Sequence, residues 1–187
     1  MTAALLVRLF FWLWFCGAVA AGHFLVLQRL PPLAAPAIIF GLSGSILLVV
    51  FRIAAVRAWA DAIDVRALVL VHLTRFIGIY FLLLHQRGEL PYAFAVPAGI
   101  GDIFVAVMAL PVAFAPLEDG PRRRAIVIWN TVGLVDILLV IASAARINFT
   151  ASEQLRAFTH LPLSLLPTFL VPLIIVTHVI IYARTRQ

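Results

Sequence analysis

Residues 71–102 read VHLTRFIGIYFLLLHQRGELPYAFAVPAGIGD, two apolar runs that each carry one ionisable side chain near the middle, Arg75 and Asp102. A charge at the centre of a bilayer costs about 2.5–3.5 kcal/mol on insertion scales, so it faces the protein interior and has a partner or a task. Asp136 sits at the same relative depth of the next apolar run. Arg75, Asp102 and Asp136 are therefore read as one buried polar centre, with His72 and Asn130 as neighbouring polar groups and the remaining chain as its helical wall.

The composition agrees with that setting. Of 187 residues, 64% are hydrophobic and 12% charged, and the mean hydropathy of +1.11 lies far from the balance of soluble domains. Six spans of about 20 residues consume about 120, which leaves room for one transmembrane domain over residues 1–187 and none for a soluble catalytic module. The fold expected is an all-α, polytopic membrane bundle of six helices, or five if the first apolar run is a cleaved signal.

All 14 basic side chains other than histidine are Arg. Without lysine there is no Schiff base for retinal or pyridoxal chemistry and no phosphate-loop lysine. The isoelectric point near 11 does not imply nucleic acid, because the Arg residues other than Arg75 lie towards span ends, where they set topology. Cys16, the only cysteine, leaves neither an internal disulfide nor a thiol pair.

The first run, ALLVRLFFWLWFCGAVAAGHFLVLQ, has a signal-like Ala18-Val19-Ala20 site, but its apolar character continues through Leu27 and favours an uncleaved span. Pro31-Pro32 then breaks the helix. The second span covers about residues 33–51. Charges at Arg52, Arg57, Asp61, Asp64 and Arg66 recur at helical spacing and fit either a short amphipathic helix at the interface or a solvated connector.

The third span, about 67–85, carries His72, Arg75 and Gly78 at three-residue steps on one stripe. A short turn with Gly88 and Pro91 makes the third and fourth spans antiparallel neighbours. In the fourth, about 92–114, Pro97, Gly99 and Gly101 predict a bend just before Asp102. The fifth, about 125–145, holds Trp129, Asn130, Gly133 and Asp136, and repeats the fourth's local pattern Gly-x-x-Asp-Ile. A polar connector over 146–161 leads to the last span, about 162–182, with Pro162, Pro167, Pro172, Thr177 and His178.

Counting Arg at the connectors sets the orientation. One side receives Arg8, Arg52, Arg57, Arg66, Arg122, Arg123, Arg124, Arg184 and Arg186, and the other Arg29, Arg87, Arg146 and Arg156. Both termini are expected in the cytoplasm of a bacterial cell, with the chain in the inner membrane.

Arg75 neutralises only one of two carboxylates. The second must be protonated, share the guanidinium, or accept hydrogen bonds from Asn130 and His72. A carboxyl so placed can exchange protons with a solute, so the leading expectation is proton- or ion-linked transport, with the lipid bilayer and a small polar solute or proton as partners and no cofactor. A static Arg–Asp clamp is the structural alternative, and a redox or hydrolytic enzyme or a non-catalytic sensor or assembly subunit are the functional ones. A homo-oligomer or a membrane partner subunit is left open.

The haem reading rests on His72 and His85, 13 residues apart on one run. Helix geometry turns them about 140° apart, and His160 and His178 are offset by about 27 Å of rise against about 20 Å for the first pair. No His or Cys spacing matches a metal-ligand set. Gly41-Leu42-Ser43-Gly44 resembles the GxSG string of rhomboid-type intramembrane proteases, which implies a nucleophilic Ser43 and a base such as His178. The resemblance covers four residues, and Ser43 lies on the second span rather than the family's fourth, so close helix packing is the preferred reading.

Overall fold

The computed structural model describes residues 2–186 and is all-α, with no strand among them. Among the described residues, six helical stretches are long and apolar enough to cross a membrane: Ala4–His23, Ala34–Arg52, Val65–Gln86, Tyr92–Phe114, Asp119–Thr159 and Leu166–Thr185. The chain divides into two compact units. One comprises the residues up to Ile63 with Ala145–Val176, and the other Asp64–Ala144 with the residues from Thr177 onward.

The first unit contains α1 (Ala3–His23), α2 (Ala34–Arg52) and α3 (Ala54–Asp61). Pro172 has no N–H to offer the Thr168 carbonyl one turn back. The indole of Trp14 donates to that oxygen instead, at 2.8 Å, within a π-helical turn over Leu166–Leu170. Phe11, Trp14 and Phe15, spaced to share one face of α1, enclose Phe169 at centroid distances of 5.1, 4.6 and 5.2 Å. An unpaired carbonyl inside a bilayer is costly, so this cluster supports the irregular helix that the prolines create.

The charged stretch after α2 forms a short helix, α3, which buries Ala60 and exposes Arg57 and Asp61. Close packing around the GxSG string holds only for its serine. Ser43 is buried and its hydroxyl donates to the Ile39 carbonyl at 2.7 Å, whereas Cβ atoms added at Gly41 or Gly44 would meet nothing within 4 Å. The connector expected over 146–161 is largely helical: α7 (Asp119–Ala151) extends into it, and a 3₁₀ segment, Ser152–Thr159, follows. Asn148 donates to the Pro32 carbonyl at 2.7 Å.

The second unit holds the polar centre. Its third span is not one uniform helix but α4 (Val65–Leu70), a 3₁₀ segment (Val71–Phe76) and α5 (Ile77–Gln86). Asp64 caps α4 by accepting from the Arg66 amide at 2.9 Å. With three residues per turn, the 3₁₀ segment sets His72 and Arg75 one above the other. The turn to α6 (Tyr92–Phe114) passes through Gly88 at φ +74°, and the Glu89 amide donates to Leu84 at 2.9 Å. α6 runs through Pro97 and Pro111 as one continuous helix.

α5 and α6 meet backbone to backbone at Gly78 and Gly99. A Cβ on Gly78 would lie 2.5 Å from the Gly99 oxygen and 2.9 Å from the Asp102 Cβ, and one on Gly99 would lie 2.8 Å from the Gly78 oxygen. The buried stripe of α6 consists mostly of small residues, Ala95, Ala98, Gly99, Ala106 and Ala109, which lets neighbouring backbones approach. Overpacking such a contact costs about 1–3 kcal/mol. Gly78→Ala should therefore lower the unfolding midpoint in detergent, while Gly41→Ala and Gly44→Ala should leave it unchanged or slightly raised. Equal midpoints for all three variants would rule out the Gly78–Gly99 contact.

Candidate functional site

Arg75 is completely buried, and two helices supply the partners of its guanidinium. Nε donates to Asp102 Oδ1 on α6 at 2.7 Å, Nη1 donates to the Gly133 carbonyl on α7 at 2.9 Å, and Nη2 pairs with Asp136 Oδ2 on α7. The Gly78–Gly99 approach places the 3₁₀ segment against α6, so Arg75 and Asp102, each three residues from its glycine, face one another. The repeated Gly-x-x-Asp-Ile pattern puts both aspartates on the same cation. Gly101 lies against the Asp136 carboxylate, where any Cβ would collide with it.

The two ion pairs differ in exposure. The side chains of Arg75 and Asp102 are 0% and 5% exposed, and that of Asp136 is 21% exposed. Both carboxylates share the one guanidinium. With both aspartates ionised the centre carries a net charge of −1, and Asp136 is the less enclosed of the two carboxylates.

Asn130 and His72, the other residues expected here, do not hydrogen-bond to either carboxylate. Asn130 is engaged twice with His178. Its amide nitrogen donates to the His178 backbone oxygen at 3.1 Å, and its Oδ1 accepts from His178 Nδ1 at 2.8 Å. This double contact fixes both the amide orientation and the histidine tautomer, leaving Nε2 as the lone-pair nitrogen of the neutral ring. His72 Nε2 shares a hydrogen bond with the Thr177 hydroxyl at 3.2 Å. The reason is register: Asn130 lies nearly two turns before Asp136, at the level where the buried residues of the last span meet α7.

His72 and His178 are both fully buried, with ring centroids 4.3 Å apart. Trp129 stands edge-on to His72 at 4.9 Å and donates its indole N–H to the Val105 carbonyl at 3.0 Å. The histidine pairs considered from sequence do not form in this unit. His72 meets His178, and His85 lies in the turn with Nδ1 3.1 Å from the Leu90 carbonyl. Sequence reasoning named His178 only as a haem or protease candidate and missed its place beside this centre, and it missed the Gly133 carbonyl altogether. A polar Thr177-His178 step inside an apolar run was the available signal for the first, and a backbone acceptor leaves none.

These contacts predict unequal effects for isosteric neutralisation. Asp102→Asn leaves Arg75 without its buried carboxylate and should cost roughly 3–5 kcal/mol of stability. Asp136→Asn removes the excess anion and should unfold near the wild-type midpoint. Denaturant unfolding of the purified proteins checks this, and a larger loss in Asp136→Asn would reverse the assignment.

No curated protein and no solved structure matches the chain. A family model described as a domain of unknown function, DUF8737, matches residues 33–186 and takes in Arg75, Asp102, Asn130, Asp136 and both buried histidines. By that match over most of its length, the chain belongs to the DUF8737 family.

Proposed function

We propose that this chain is a proton-linked membrane transporter for a small polar solute, working in a bacterial inner membrane with both termini in the cytoplasm. The observation that carries the reading is the inequality of the two carboxylates around a buried Arg75: Asp102 is enclosed with the cation, whereas Asp136 keeps 21% of its side-chain surface. One guanidinium against two carboxylates leaves a negative charge that a proton or a small cation can compensate in a medium of low dielectric. An anionic solute would add to that excess. The centre therefore suits a proton or a cationic or neutral polar solute.

In this mechanism Asp102 and Arg75 stay paired throughout and fix the geometry. Asp136 takes up and releases the proton at its carboxylate oxygen, sharing Arg75 Nη2 while ionised and loosening from it when neutral. The nine-to-four distribution of Arg at the connectors supports the orientation, since positive residues gather on the cytoplasmic side.

Reconstitution into liposomes with an imposed pH gradient and an internal pH-sensitive dye tests the reading. With potassium and valinomycin clamping the charge and a set of small neutral and cationic polar solutes supplied in turn, wild-type protein should collapse the gradient faster than empty liposomes, and Asp136→Asn should slow that collapse roughly a hundredfold, the order of effect expected for a positioned proton-transfer group. Wild-type vesicles as tight as empty ones, or an Asp136→Asn variant as active as wild type, would overturn it.

A further inference from the structure

Two ring nitrogens in the second unit are buried without a hydrogen-bond partner: His72 Nδ1 and His178 Nε2. Buried polar atoms are nearly always paired, and here two orphans belong to imidazoles whose centroids are 4.3 Å apart. That spacing leaves no room for a solute between the rings. Both rings are tethered through their other nitrogen, His178 by Asn130 and His72 by Thr177, so each presents a fixed, unused nitrogen.

The pair lies next to the charged centre. His178 packs over Gly133, where an added Cβ would meet its Cε1 at 2.8 Å and its Nε2 at 3.2 Å. The carbonyl of that same glycine accepts from Arg75, and Asp136 follows one turn along α7, about 4.5 Å of rise. The charged group beside the histidines is Arg75 on the 3₁₀ segment, and Asp102 on α6 and Asp136 on α7 stand behind it as its partners. Trp129, Asn130 and Thr177 supply neutral surroundings.

We propose that His72 and His178 form a second proton-accepting station beside the Arg75, Asp102 and Asp136 centre, holding the proton that Asp136 releases. The assignment rests on the proton-linked reading of Asp136 above. The step is a proton transfer and balances simply. The O–H bond of the Asp136 carboxyl breaks, an N–H bond forms on an imidazole, and a neutral acid and neutral ring become a carboxylate and an imidazolium. Counting Arg75 as +1 and Asp102 as −1, the group is neutral before and after. Moving the proton inside it therefore leaves no net charge in the low-dielectric interior.

Solid-state NMR of nitrogen-15 histidine in liposomes tests the pair directly. A background of His23→Gln, His85→Gln and His160→Gln leaves His72 and His178 as the labelled rings. As the pH is lowered, an imidazolium or shared-proton signal should appear, and it should be lost when Asp136→Asn is added. Two rings that stay neutral throughout, or a signal indifferent to Asp136→Asn, would overturn the proposal. Proton flux in liposomes separates it from the transport reading: flux with permanently neutral rings removes the histidine pair alone, whereas charged rings without flux keep the pair and remove transport.

Discussion

A guanidinium cannot lose its proton inside a protein, so a fully buried Arg75 requires anions and carbonyls around it whatever else the chain does. Asp102, Asp136 and the Gly133 oxygen meet that requirement from two helices. Much of the second unit follows from delivering them. Gly78 and Gly99 let the helix pair close enough for Arg75 to reach Asp102, Gly101 clears space for the Asp136 carboxylate, and Gly133 offers its carbonyl while admitting His178 against the helix. Each glycine acts here through the absence of a side chain at a contact.

The same economy explains the polar residues behind the centre. A membrane-buried histidine needs partners on both nitrogens, and Asn130 and Thr177 satisfy one on each ring. The remaining two nitrogens stay open beside a group with one negative charge too many. Charge imbalance and unpaired ring nitrogens in one place are the physical basis for proposing proton chemistry at a site whose parts would otherwise form a closed clamp.

Much of this was legible in the sequence because membrane burial constrains so strongly. Mid-span charges at Arg75, Asp102 and Asp136 could be placed at one depth without coordinates, and the apolar runs gave the six spans. What remained hidden depended on rotation rather than depth. Asn130 and His72 share the depth range of the carboxylates but face the last span, and nothing in the spacing reveals how two helices are turned against each other. The 3₁₀ segment of the third span was hidden because Val71–Phe76 contains no proline or glycine to mark it. Gly41 and Gly44 show the opposite error, a small-residue motif that packs against nothing in this chain. The Trp14 bond to Thr168 could be anticipated only in part: Pro172 announces a freed carbonyl, but not which distant donor fills it.

On the proton-linked reading, the centre is neutral only with one exchangeable proton, and that proton's carboxylate home is Asp136. Infrared difference spectroscopy on membranes stepped between neutral and mildly acidic pH reads it without any transport assay. A carbonyl stretch of one protonated carboxyl should appear on acidification in the wild type and be absent from Asp136→Asn. The same band persisting in Asp136→Asn, or no such band in either protein, would contradict the account.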